Sequence, residues 1–410
     1  MRDRFSPMIM AAIAAAGGTV TCISITPTSA QAPAASAAAP TAALKTPWGE
    51  PDLQGIWTAE FDLPLQRLAE YADQEFFTEA QRAELDKERA AFAFEPSQKR
   101  GSDDVGGGDK TVGLSVKRAG ARTSLIVDPP NGRLPPLTPE AEKAAAADKA
   151  FRLALLQATE TCKNKLPGCA GGTYDPTPSP RRAELPPRYL ARNFGQRINR
   201  YNGPEDGTLA DRCLISGLPE FGSTFGGSFR RIVQTPGGIS MFYDVDQGMA
   251  WQRNIVLNAS PHLPASIRQW YGDSRGHWEV NTLVIDVTNF SPKTDFEGSR
   301  ENLHLVERWT RTGPATLEYE VTAEDPTVWT RPWTAKQEFI KQNEHENRIY
   351  YEPRCIEGNF GLPGILRGSR AEDLGLRREK VPIRQAGTIA QEEIGAILLS
   401  NSRKAARWPP

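Results

Sequence analysis

In the run Leu303-His304-Leu305-Val306-Glu307-Arg308-Trp309 a carboxylate stands among residues that alternate like a strand. Alternate strand residues share a face. Leu303, Leu305, Glu307 and Trp309 therefore point one way, and His304, Val306 and Arg308 the other. With the first face inside, exclusion of water would suit Glu307 to general acid/base work. The same pattern suits a buried Glu paired with an Arg for structure. With the second face inside, His304 and Arg308 become a catalytic pair; outside, they are an ordinary polar pair between strands. Both faces cannot be internal, so the two arrangements exclude each other.

A second group surrounds Gly272-Asp273-Ser274-Arg275-Gly276, which reads as turn chemistry. Asp273 and Arg275 at a strand rim would flank a ligand entrance, or latch the turn. His262 lies between Pro261 and Pro264, on a connection stiff enough to hold an imidazole in place. Packing or capping is its plainer role. Asp286 interrupts Val284, Thr288 and Phe290, whereas Glu318, Glu320 and His345 read as exposed. Trp270, Trp278, Trp309 and Tyr243 would bind a flat apolar ligand, or simply fill a wide barrel.

The motifs of other chemistries are missing. There is no G-x-S-x-G, H-E-x-x-H, Walker loop or Rossmann fingerprint. Gly106-Gly107-Gly108 has no Lys-Ser/Thr after it and reads as linker. Four scattered His do not suggest a metal centre. The expectation is no metal and no cofactor. Lys+Arg 49 against Asp+Glu 50 leaves no electrostatic case for nucleic acid or an anionic membrane surface.

The elements that must position these residues read as mainly β. Ile267–Phe290 looks like three strands: 267–271, 277–279 and 282–290, the last two joined at Val280-Asn281. Further strands are expected at 228–234, 239–244, 249–257, 302–311, 316–322, 329–340 and 347–353. Together they make about ten, the pattern of an antiparallel β-barrel or sandwich. Upstream, 51–58 opens with Gly-x-Trp and 122–128 is strand-like. Thr78-Glu79-Ala80-Gln81 is a capping box for a helix to Phe94. Thr138-Pro139 opens a second helix, to Glu160. Gly 35 and Pro 33 suit long irregular connections.

At the start, Arg2 and Arg4, an apolar stretch 8–20 and Thr28-Ser29-Ala30 read as a secretory signal over 1–30. Residues 31–47 read as a disordered linker, 48–370 as one barrel-type domain with helical insertions, and 371–410 as a tail with a helix over 389–399. The stretch after Phe360 is Gly-rich. Removal of the signal takes Cys22, whose preceding Thr19-Val20-Thr21 does not suit a lipoprotein anchor. An even set remains. The preferred pairing of three is Cys162–Cys169 and Cys213–Cys355. The expected location is the periplasm or outside the cell.

Several runs resemble a family of exported bacterial hypothetical proteins. They are P-D-L-Q-G-I-W (51–57), S-L-I-V-D-P-P-N-G-R-L-P-P-L-T-P-E-A (124–141), D-R-C-L (211–214), P-H-L-P (261–264), G-D-S-R-G-H-W-E (272–279), T-L-V-I-D-V-T-N-F (282–290), V-E-R-W (306–309) and C-I-E-G-N (355–359). The resemblance implies no reaction. The chain departs from it at Val280-Asn281, where the family reads Gly-Asp, and at Asn258-Ala259-Ser260, where it reads Asp-Gly-Arg. The lost Arg points to a different ligand. The barrel segment is also similar in texture to lipocalin-like (calycin) barrels.

These readings converge on a periplasmic acid/base enzyme, a lyase, dehydratase, isomerase or cyclase, acting on a small hydrophobic or aromatic molecule. The candidate catalytic residues are Glu307, His304, His262, Asp273, Arg275 and Arg308. The alternative is a lipocalin-like carrier for an apolar ligand. No carboxylate pair suggests a carbohydrate hydrolase.

Overall fold

The fold is taken from a computed structural model. It describes residues 44–94, 117–169, 171–190, 198–214, 217–222, 227–246, 250–258, 260–343, 345, 355–356 and 361–373. The expected signal, the linker as far as residue 43, the Gly106–Gly108 run, the strand at 347–353 and the helix at 389–399 lie outside these residues.

Among the described residues twelve strands are seen: β1 Gly55–Thr58, β2 Phe61–Asp62, β3 Arg118–Ala119, β4 Ile126–Asp128, β5 Gly227–Thr235, β6 Gly238–Asp246, β7 Trp251–Val256, β8 Asp273–Glu279, β9 Thr282–Thr288, β10 His304–Gly313, β11 Thr316–Glu324 and β12 Trp333–Lys341. Nine of them close a barrel. The order is β1-β5-β6-β7-β8-β9-β10-β11-β12, with β12 pairing back onto β1 and β4 added beside β12. The small β2–β3 pair stands apart. The helices are α1 Glu79–Phe94, α2 Pro139–Leu156, α3 Glu160–Lys163 and α4 Gly361–Asp373. Among the described residues, no helix is long and apolar enough to cross a membrane.

Side-chain alternation builds the wall. In β11 Leu317, Tyr319, Val321 and Ala323 are buried, and in β12 Trp333, Ala335, Gln337 and Phe339. The residues between them are partly or wholly exposed. The interior mixes aliphatic side chains with large aromatic rings. Trp309 stacks on Tyr319 at 4.2 Å between ring centroids, and Tyr243 on Trp251 at 4.0 Å. Arg230, fully buried, lies with its guanidinium 3.5 Å from the Phe339 ring centroid. The capping box forms as expected: Gln81 N–H donates to Thr78 Oγ1 at 3.2 Å, and Thr78 N–H to Gln81 Oε1 at 2.8 Å. Both preferred disulfides are present, Cys162–Cys169 and Cys213–Cys355. Two disulfides are the mark of an oxidising, non-cytoplasmic location.

The structure corrects the sequence reading at several points. The barrel is mixed, because β7 and β8 run parallel, joined at the single register pair Val256↔Arg275. Ile267–Tyr271 is not a strand. It is loop, tied to the sheet by the isolated bridge Gln269↔Phe290. The Asp273–Arg275 corner is extended chain at the head of β8, and the turn falls at Gly272, whose φ is +66°. A Cβ there would stand 2.5 Å from the Thr288 carbonyl oxygen, so only glycine fits. The stretch 122–128 forms a strand only over Ile126–Asp128. The strand expected from Trp329 begins at Trp333, because Asp325–Trp329 closes a turn through two backbone hydrogen bonds to the Asp325 carbonyl. The helix expected to reach Glu160 stops at Leu156, and a new one is capped by Thr159. A helix not expected from the sequence, α4, occupies the Gly-rich stretch after Phe360.

Candidate functional site

A parallel pair cannot be closed by a tight turn, so the chain must cross over between β7 and β8. The crossover loop, 257–272, leaves these strands held at only one end. Where they part, a cleft of about 640 Å³ opens in the barrel wall. Its lining includes Arg253 and Ser274 from the strands, Arg268, Trp270 and Tyr271 from the loop, and Lys293 beyond β9. Trp270 is among the exposed large apolar residues, at 38%. Tyr271 stacks on Trp251 at 3.7 Å, continuing the interior aromatic column outward.

Asp273 also lines the cleft and begins the polar chain behind it. Its Oδ2 accepts from the Leu263 backbone N–H at 3.0 Å and from Arg275 Nε at 3.0 Å, and lies 2.8 Å from His262 Nδ1. All these contacts fall on one oxygen, Oδ2. Burial alone would raise this carboxyl. The Leu263 amide, His262 and Arg275 reverse that and hold it below the usual aspartate value. Arg275 also donates to Ser260 Oγ at 3.1 Å.

The other imidazole nitrogen of His262 lies 2.8 Å from Asp286 Oδ1, and His304 Nε2 is 3.1 Å from Asp286 Oδ2. His304 Nδ1 is 3.5 Å from Glu324 Oε2. Asp273, His262, Asp286, His304 and Glu324 thus form one continuous chain across β8–β11 on the barrel's outer face. Register places it there: Arg275 is opposite Asp286, and His304 opposite Glu324. The bond to Asp286 raises the His304 imidazole, and the bond from His304 lowers the Asp286 carboxyl.

Glu307 does face the interior, fully buried, on the same side as Leu305 and Trp309. Arg253 Nη1 donates to its Oε2 at 2.7 Å, Trp309 Nε1 to the same oxygen at 3.3 Å, and Tyr319 OH to Oε1 at 3.2 Å. This is the geometry of a structural ion pair. His304 and Arg308 share the outer face but do not meet. Arg308 instead donates to Glu279 at 2.8 Å. Tyr243 and Trp309 are buried core residues, each about 1% exposed, and Trp278 packs partly buried against that core. Of the four aromatic candidates, only Trp270 lines the cleft.

Sequence reasoning missed Arg253, Arg268, Lys293 and the linking role of Asp286. The signal for Arg253 was present: in Trp251-Gln252-Arg253-Asn254-Ile255 it shares a face with two large apolar residues. Nothing local marks Arg268 or Lys293. Among the described residues, no group of His, Cys, Asp and Glu is arranged to hold a metal. The chain matches no family model, and no curated protein is significantly similar to it.

Proposed function

We propose that this is an acid/base enzyme, exported to the periplasm or beyond, acting on a small aromatic or hydrophobic molecule in the β7–β8 cleft. It would need neither metal nor nucleotide. This reading sits with the exported bacterial family that the chain resembles. One observation carries it: Asp273 belongs both to the cleft lining and to the His262–Asp286–His304 chain. Asp273 Oδ1 takes a proton from substrate carbon next to a carbonyl. The C–H electron pair moves into the forming enolate. His262 orients Asp273 through Oδ2, and Asp286, itself held by His304, fixes the His262 ring in turn. Trp270 supplies the flat wall. Glu307, paired in the interior, holds the barrel together.

Arylacetone-type carbonyl compounds incubated in heavy water test this. Hydrogen–deuterium exchange at the carbon beside the carbonyl, followed by NMR, should be catalysed by the wild type. It should drop at least about a hundredfold in Asp273→Asn, and fall in His262→Gln. Undiminished exchange in both variants would overturn the reading. A carrier using the same cleft is the second reading. It is favoured by the closed state of His262, whose two nitrogens each face a carboxylate. Binding without exchange would decide for it.

A further inference from the structure

The cleft carries a charge that the aromatic-substrate reading does not use. Of the three cations lining it, Arg253 is balanced by Glu307 beneath. Arg268 and Lys293 have no such partner. Arg268 donates to the Glu301 backbone carbonyl, and Lys293 lies 5.2 Å from the Tyr189 ring centroid. Among the described residues, no carboxylate stands within ion-pair distance of either. The acid in the lining, Asp273, is already engaged by Arg275 at 3.0 Å. The cleft therefore holds two positive charges in excess.

A third donor points the same way. The Arg253 side chain is about 2% exposed. Its Nε donates to Ser274 Oγ at 2.8 Å and its Nη1 to Glu307 at 2.7 Å, while Nη2 makes no well-aligned hydrogen bond, the Tyr243 hydroxyl lying close to the guanidinium. A buried N–H of a charged group left unsatisfied is costly. Gln252, Asn254 and Gln269 add further polar lining to the cleft. The half-exposed Trp270 ring completes the arrangement, one flat apolar face beside a cationic, hydrogen-bonding wall. A cleft of about 640 Å³ is of the size that holds small ligands of a few rings.

We infer that the cleft selects an aromatic carboxylate: the ring lies against Trp270, and the carboxylate is held by Arg268 and Lys293 with the spare N–H of Arg253 behind them. This rests on the cleft being the functional site and names the class of its ligand. Carboxylate geometry matches the guanidinium fork, and the charge match also speeds encounter.

The test is a fluorescence and calorimetric titration of the full chain with naphthoate and with its neutral amide, naphthamide, at low salt. Naphthoate should bind at least about tenfold tighter than naphthamide. Salt should erode that advantage. The double variant Arg268→Gln/Lys293→Gln should lose the advantage, while Arg268→Lys/Lys293→Arg, which keeps both charges, should retain most of it. Thermal unfolding of each variant confirms that it is folded. Equal affinity for acid and amide in the wild type, or an acid preference untouched by removing both cations, overturns the inference. Because the readout is binding alone, that failure is distinct from failure of the proton chemistry, which deuterium exchange reads.

Discussion

Arg253 and Glu307 are 54 residues apart in sequence, yet they meet at 2.7 Å inside the barrel with their side chains about 2% and 0% exposed. A pair so buried gains its Coulomb energy only by giving up the hydration of both ions. Breaking it from one side is therefore far more costly than replacing it whole. Glu307→Gln should destabilise the fold by about 3 kcal/mol or more. The double replacement Arg253→Met/Glu307→Leu should recover most of that loss. Urea unfolding of the three variants checks this, and a double variant no better than the single would show that the pair contributes net stability.

The outer-face chain makes stability depend on pH in two windows. His304 is raised above its ordinary 6.5, chiefly by Asp286, so its contribution is complete below that value. It is lost as pH rises through the raised value. Asp286 is lowered from 3.8, chiefly by the His304 bond, so its contribution is present above 3.8 and lost as pH falls through the lowered value. Melting temperature should then peak in mildly acidic solution and decline on both sides. His304→Asn should flatten the alkaline decline, and Asp286→Asn should flatten both. The facing groups, His262 and Glu324, remain in each variant, and an unchanged alkaline limb in His304→Asn would refute the assignment.

The Cys213–Cys355 bond spans 142 residues, which enclose strands β5 to β12. Cross-linking a loop of that length restricts the unfolded chain by about 4–5 kcal/mol in the loop-entropy account. Cys213→Ser with Cys355→Ser should lower stability by an amount of that order. Removing Cys162–Cys169, separated by only 7 residues, should cost less. Denaturant midpoints for the two double variants rank them directly.

Val280 turns the β8–β9 hairpin at φ 56°, a region a β-branched residue enters only under strain. It is 91% exposed, so little packing offsets that strain. Val280→Gly should stabilise the protein by about 1 kcal/mol. A lower melting temperature in the variant would show that this turn is held by contacts along β8 and β9 instead.

Legibility followed the range of the physics involved. The capping box at Thr78 and the alternation in β10 are set by neighbours within a few residues. They were read correctly. Ile267–Tyr271 alternates like a strand and is not one. Its backbone satisfies itself partly through Gln269, which donates to the Asn289 carbonyl and accepts from Ser291. That choice depends on where β9 ends, which no local pattern states.

By itself, the sequence determined that this chain is mainly β and that Glu307 and His304 lie on opposite faces of one strand. Period-two alternation and turn chemistry are properties of the local backbone, so they can be read along the chain. Only the tertiary structure decided which face is inside, that β7 and β8 run parallel and part into a cleft, and that Asp273, His262, Asp286 and His304 join in one chain. Those outcomes depend on strand order and register around a closed sheet, where each contact is set by the position of every strand in the circuit.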